Sequence, residues 1–207
     1  LFAVKPQVMK TVCGELKNLA QTQKPLIISI AAGITATQLN SWLGGNMAVV
    51  RVMPNTPALL GAGASGLYAN EQVCDEQKHM AEQLFRATGL AVWIEEERLI
   101  DTVTALSGSG PAYVFLLAEA MQAAAEQQGL PKAAAQALAV QTFVGAAKML
   151  SESGEPAKVL RQRVTSPNGT THAAIVKFEQ GGLQELVQTA MDAATLRGYE
   201  LSKENDA

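Results

Sequence analysis

Leu26-Ile27-Ile28-Ser29-Ile30-Ala31-Ala32-Gly33-Ile34-Thr35 is the stretch on which the fold turns. Its first five residues are an apolar run too short for a helix and suited to a strand buried on both faces. Pro25 precedes the run, and Thr35 after it has the side chain of a helix N-cap, opening a short helix to about Leu43. Strand, turn and capped helix make the unit of a parallel sheet covered by helices. The flanking sequence repeats that unit. Upstream, residues 1–4 read as a strand end closed by Lys5-Pro6, and Val8, Val12, Leu16 and Leu19 fall at helical spacing, which predicts a helix with that stripe inward. Downstream, residues 47–53 read as strand, Pro54-Asn55-Thr56-Pro57 as a segment that cannot continue as helix, 61–66 as a flexible glycine loop and Leu67-Tyr68-Ala69 as a brief strand. Residues 71–88 read as a helix with Val73, Leu84 and Phe85 inward, and 90–94 as the last strand.

After Glu95-Glu96-Glu97 the strand signals stop. The remainder reads as helices divided by Gly108-Ser109-Gly110-Pro111, Gly129-Leu130-Pro131, Gly154-Glu155-Pro156, Ser166-Pro167 and Gly181-Gly182. The expected fold is therefore α/β with a mainly parallel sheet over residues 1–97, followed by an all-α domain over 98–207. The three glutamates read as a solvated helix start rather than a cation site. Within the helical half, residues 112–127 are apolar nearly all round, with Tyr113, Val114, Phe115, Leu116, Leu117 and Met121 among small alanines. Such a helix must be covered on every side. A domain of this size is too small to do that alone, which predicts pairing with a second copy.

Composition removes several classes of function. The 207 residues carry 16 basic and 19 acidic side chains, a formal charge of −3, so neither a general nucleic-acid binder nor a polybasic membrane ligand is indicated. No apolar run approaches the roughly 20 residues of a membrane span. No secretory signal is visible, and Cys13 and Cys74, which lack metal-ligand spacing, are expected to be buried thiols in a reducing, cytoplasmic setting. The two histidines, His79 and His172, leave no His-rich metal site and argue against a Ser-His-Asp hydrolase. Gly-x-Gly-x-x-Gly is absent in a usable context, because Gly61-Ala62-Gly63-Ala64-Ser65-Gly66 neither follows a long strand nor opens a helix.

The most specific local signal is Val164-Thr165-Ser166-Pro167-Asn168-Gly169-Thr170-Thr171-His172. Ser166 or its followers can cap a helix, Pro167 fixes φ, and Asn168-Gly169 tolerates a left-handed backbone. Free N–H groups and the positive end of a helix dipole then face one spot, and Thr170 and Thr171 add hydroxyls. A small carboxylate fits there without an arginine.

Five segments occur in order: Ala3-Val4-Lys5-Pro6, Ala31-Ala32-Gly33-Ile34-Thr35, Met53-Pro54-Asn55-Thr56-Pro57, Leu106-Ser107-Gly108-Ser109-Gly110-Pro111-Ala112-Tyr113 and the Ser-Pro-Asn-Gly-Thr-Thr stretch. Together they resemble the pyrroline-5-carboxylate reductase family over essentially the whole chain, apart from the family's N-terminal strand-turn-helix with its glycine-rich fingerprint. The resemblance implies a partial Rossmann-type domain followed by a dimerisation and substrate-binding domain. It implies hydride transfer from NADPH or NADH to the C=N bond of 1-pyrroline-5-carboxylate, giving L-proline in the last step of proline biosynthesis. It places Thr171 at the ring nitrogen as the catalytic contact, and Ser166, Asn168, Gly169 and Thr170 around the carboxylate. It places Ala3, Val4, Lys5, Pro6, Ala31, Ala32, Gly33, Asn55 and Thr56 on the nicotinamide and ribose side of the cofactor, at the carboxyl ends of strands. A homodimer through the C-terminal helices is implied, with larger rings of dimers known among relatives, and no metal. Arg163, just before the loop, is left without an assigned contact.

Two other readings stay open on the residues alone. A β-hydroxyacid dehydrogenase-like enzyme would use a lysine of the helical half, and Lys132, Lys148, Lys158 and Lys177 are available, though none lies in a glycine-rich motif. A non-catalytic dimerising helical module is the third.

Overall fold

The computed structural model describes residues 1–205. Packing divides them into two compact units: residues 1–111 together with the chain from Ala190 onward, and Ala112–Thr189.

In the first unit, helix α1 spans Pro6–Gln23, strand β1 Ile27–Ser29, helix α2 Ala36–Trp42 and strand β2 Val49–Met53. A 3-10 turn at Thr56–Leu60 leads to β3, Gly63–Ala69, then α3, Asp75–Arg86, and β4, Gly89–Trp93. The sheet order is β1-β2-β3-β4. β1 and β2 are parallel, as are β3 and β4, while β2 and β3 run antiparallel. Phe2 adds a parallel bridge to Ser29, so the opening residues are the strand end that their sequence suggests.

β1 and β2 are buried on both faces, their apolar runs broken only by Ser29 and Arg51, which are themselves buried. One face packs Val49, Ile27 and Leu39 with Met9 and Cys13 of α1; the other packs Val50, Val52 and Leu67 with Ala81 and Phe85 of α3. Thr35 caps α2 through a reciprocal box: its Oγ1 accepts the Gln38 N–H at 3.1 Å, and Gln38 Oε1 accepts the Thr35 N–H at 2.7 Å.

Three packing expectations are corrected. The inward stripe of α1 is Met9, Cys13 and Ala20, while Val8, Leu16 and Leu19 are exposed. The two stripes differ by one residue, about 100° round the helix, so periodicity alone does not say which of them meets the sheet. On α3, Ala81 and Phe85 face inward and Leu84 outward. Residues 61–66 are not a loop, because β3 already begins at Gly63. The glycines serve close approach there: a Cβ on Gly66 would lie 2.7 Å from the Val103 side chain, and one on Gly63 would lie 2.9 Å from the Thr88 carbonyl oxygen.

Both cysteines are free. Cys13 is buried, and burial pushes its thiol pKa up to about 11. Cys74 is exposed, contrary to expectation, because it stands at the N-cap of α3 on the surface. Thiol reagent should therefore modify one cysteine per native chain and two in denaturant. Keeping Cys13 neutral contributes stability that is complete below the ordinary thiol pKa and is lost as pH rises through about 11. Equal modification rates for the two thiols in the native protein would contradict this burial.

The chain continues through α4, Leu99–Val103, a π-helical turn at Thr104–Gly108, and α5, Gly110–Gln127. The Ser-Gly-Ser-Gly segment is thus a π-turn running into a helix rather than an open break, closed by the Ser109 N–H donating to the Thr104 carbonyl at 2.8 Å. Then come α6, Lys132–Glu152, α7, Ala157–Arg163, α8, Thr170–Gln180, and α9, Leu183–Glu204. Residues 98–111 and the end of α9 belong to the same compact unit as the sheet, so the units divide the chain differently from element type, whose last strand ends at Trp93.

The second unit holds little core of its own. Ala135, Ala139 and Leu160 are its buried apolar residues. No residue of α5 is buried, and Phe115 and Leu116 are each 66% exposed in the single chain. Leu138, Val140, Met149 and Leu150 of α6 are likewise open. These are the faces that the all-round apolar sequence of residues 112–127 requires something to cover. Among the described residues no helix is long and apolar enough to cross a membrane.

Candidate active site

Two sets of residues are assembled, one in each unit. In the first unit, residues 1–4, β1 and β2 run parallel side by side, Phe2 opposite Ser29 and Ser29 opposite Arg51. Their carboxyl ends therefore lie together on one edge of the sheet, and each is followed by one of the expected cofactor segments. Ala3, Val4 and Lys5 are exposed there, and Pro6 opens α1 behind them. Ala31 and Gly33 are buried, and Ala32 between them is half-buried. Gly33 takes φ 69°, and a Cβ there would lie 2.9 Å from Leu201 Cβ, so both its backbone conformation and its packing call for glycine. Thr56 is exposed. The Asn55 amide bonds at both its atoms within the protein: Oδ1 accepts the Ala64 N–H at 2.9 Å and Nδ2 donates to the Ser107 carbonyl at 3.0 Å. It fastens the Met-Pro-Asn-Thr-Pro turn to β3 and to the π-turn.

In the second unit, the loop before α8 has the anticipated conformation with one shift in detail. Asn168 takes the left-handed backbone, φ 62°, and Gly169 is extended at φ −81°, ψ 175°. The Gly169 N–H donates to the Ser166 carbonyl at 3.0 Å, closing a tight turn, and the Gly169 carbonyl accepts the Ala173 N–H at 3.1 Å. Gly169 is the N-cap, and no side chain caps the helix, Ser166 included. The amides of Thr170, Thr171 and His172 are therefore first-turn donors without intrahelical partners, at the positive end of an 11-residue helix. Ser166, Asn168 and Thr170 are exposed and Thr171 is half-buried. This start can accept a carboxylate and offer a hydroxyl beside it. Arg163 turns away to Glu155 at 2.7 Å. His79 and His172 are both exposed, and no cluster able to hold a metal ion occurs among the described residues.

The reading of residues 95–97 as a solvated helix start fails for Glu97. Its carboxylate accepts the Ala36 N–H at 2.6 Å and faces Arg51 at 3.4 Å, while Arg51 also meets Asp101 at 3.2 Å. The signal was present. An arginine inside Val49-Val50-Arg51-Val52-Met53 must be paired once buried, and Glu97 and Asp101 lie one helical turn apart.

A mostly parallel sheet with small residues along its carboxyl edge, followed by helices with open apolar faces, is the architecture of a Rossmann-like domain joined to a helical dimerisation domain. The family described as pyrroline-5-carboxylate reductase dimerisation matches residues 97–201. A pyrroline-5-carboxylate reductase of Pseudomonas aeruginosa is 54% identical over 207 residues, 99% of this chain and 74% of that protein. The structure of a pyrroline-5-carboxylate reductase from Coxiella burnetii superposes with TM-score 0.93 at 50% identity, covering 97% of this chain and 74% of that one. The Plasmodium falciparum pyrroline carboxylate reductase, solved with NADP bound, gives TM-score 0.87 at 31% identity over 97% of this chain and 75% of that one. The chain belongs to the pyrroline-5-carboxylate reductase family.

Proposed function

We propose that this chain carries out the reaction for which its family is named, reducing 1-pyrroline-5-carboxylate to L-proline with NAD(P)H. The observation that carries the reading is the uncapped start of α8, with three open amides and a half-buried hydroxyl at Thr171. That is a receptor for a small molecule bearing one carboxylate and one ring nitrogen.

The sheet edge fits the nicotinamide and ribose side of the cofactor. Ala3 and Ala32 put no long side chain along that edge, and Lys5 and Thr56 offer an ammonium and a hydroxyl to polar groups beside it. When bound, NAD(P)H supplies a hydride to the imine carbon. The protein's own task is orientation. Thr171 positions the ring nitrogen by a hydrogen bond, and the protonated imine then needs no strong base, in keeping with two exposed histidines. The amides of Asn168 and Thr170, with Ser166, hold the carboxylate, while the Gly169 N–H, bonded to the Ser166 carbonyl, shapes the loop. Ala3, Val4, Lys5, Pro6, Ala31, Ala32, Gly33, Asn55 and Thr56 form the cofactor edge, with Asn55 acting by fixing the turn and Gly33 through its backbone. Residues 1–97 serve as the dinucleotide domain and 98–207 as the substrate and dimerisation domain. Their open helical faces pair with a second copy, and rings of such dimers and a cytoplasmic setting complete the reading.

Gly169→Val tests the carboxylate cradle. A Cβ at Gly169 would lie 3.1 Å from the Ser166 carbonyl oxygen, so a branched side chain forces the turn open. In the full-length polypeptide the KM for the imine should rise about tenfold or more while the KM for NADPH stays near wild type. An unchanged imine KM would reduce the loop to a simple turn.

A further inference from the structure

Arg51 is 3% exposed in the middle of β2 and shared between two carboxylates, Glu97 at 3.4 Å and Asp101 at 3.2 Å. A buried cation must be paired, and this much is ordinary. The shorter bond made by Glu97 goes elsewhere, to the Ala36 N–H at 2.6 Å. Ala36 is the first residue of α2, and its amide has no partner within the helix. The reciprocal box of Thr35 and Gln38 satisfies the amides of those two residues and leaves this one open. Glu97 fills it from 61 residues away in the chain. On the other flank of the same turn, Asn205 Nδ2 donates to the Gly33 carbonyl at 3.1 Å. The 31–35 turn is thus held at its middle and at its exit by side chains from beyond the sheet.

From this geometry we infer that Glu97 is a positioning residue for cofactor binding, holding the start of α2 and with it the 31–33 turn where the nicotinamide side of NAD(P)H is received. The inference rests on the reading above that this turn lines the cofactor. Arg51 aims the Glu97 carboxylate, and Asp101 holds Arg51 from its other side.

Steady-state kinetics of E97A, E97Q, A36P and A32L in the full-length polypeptide test it. The E97Q variant keeps an oxygen acceptor for the Ala36 N–H, whereas E97A keeps none. The A36P variant removes the donor itself, at a helix position that proline favours, and obliges the carboxylate to move away. E97A and A36P should raise the KM for NADPH about tenfold, the loss expected for one hydrogen bond to a charged group, with the imine KM unchanged. E97Q should recover most of the wild-type value. Folding defects alone would lower the active fraction and kcat without separating the two KM values, and that result would overturn the inference. So would E97Q as impaired as E97A, or A36P with a normal NADPH KM. A32L, which crowds the turn directly, separates the two levels. If it raises the NADPH KM while E97A does not, Glu97 has no positioning role and the turn still lines the cofactor. If neither variant moves it, the cofactor assignment of the turn falls, and the inference with it.

Discussion

Replacing Phe115 and Leu116 of α5 together by aspartate should turn the protein from a dimer into a monomer and unfold much of its helical half. Each side chain is 66% exposed in the single chain, and the unit around them buries little besides Ala135, Ala139 and Leu160. Covering a Leu or Phe side chain completely is worth about 1.5–3 kcal/mol. With about two thirds of each still to be covered, two positions in each of two copies withdraw on the order of 4–8 kcal/mol of association energy. That is comparable with the whole stability of a typical domain. Sedimentation should show a dimer or larger species for the parent and a monomer for the variant, with helical circular dichroism falling in parallel. The melting temperature of the parent should rise with protein concentration, since folding and pairing are linked. A variant that remains dimeric would move the interface off α5.

Thr171→Val should lower kcat/KM for the imine by about 1–3 kcal/mol in ΔΔG‡ while leaving NADPH affinity and folding intact. Valine matches threonine in shape and removes only the hydroxyl. Thr171 is the second residue of α8, half-buried where Thr170 is exposed, so its side chain is held rather than free in solvent. The loss should fall mainly on kcat if the hydroxyl meets the ring nitrogen more strongly as the reaction proceeds. Unchanged turnover would remove Thr171 from the chemistry.

The strand–turn–helix unit was legible because its signals are local. Ile27 and Ile28 are apolar on both faces, Thr35 caps, and Pro25 stops the helix before. The conformation of the loop before α8 was legible for a similar reason, since Asn168 is one of the few residue types that accept a left-handed backbone. What escaped was set by distant partners. Periodicity finds an amphipathic helix but not which of two adjacent stripes meets the sheet, hence Val8 and Leu16 in place of Met9 and Cys13. Glycines at 63 and 66 looked flexible because their neighbours Thr88 and Val103 are remote in sequence. Glu97 looked solvated because its partners, Ala36 and Arg51, lie 61 and 46 positions back along the chain. The apolar α5 announced that a cover is needed, and its open faces in the single chain agree with that requirement.

The most direct measurement follows NADPH oxidation by the purified full-length polypeptide with 1-pyrroline-5-carboxylate as substrate, with L-proline quantified at the same time points. NADPH consumed and proline formed should be equal in amount, the rate should saturate in both substrates, and omitting the imine should abolish it. No imine-dependent oxidation, or oxidation without proline, would contradict the assignment of this chain as a reductase of that C=N bond.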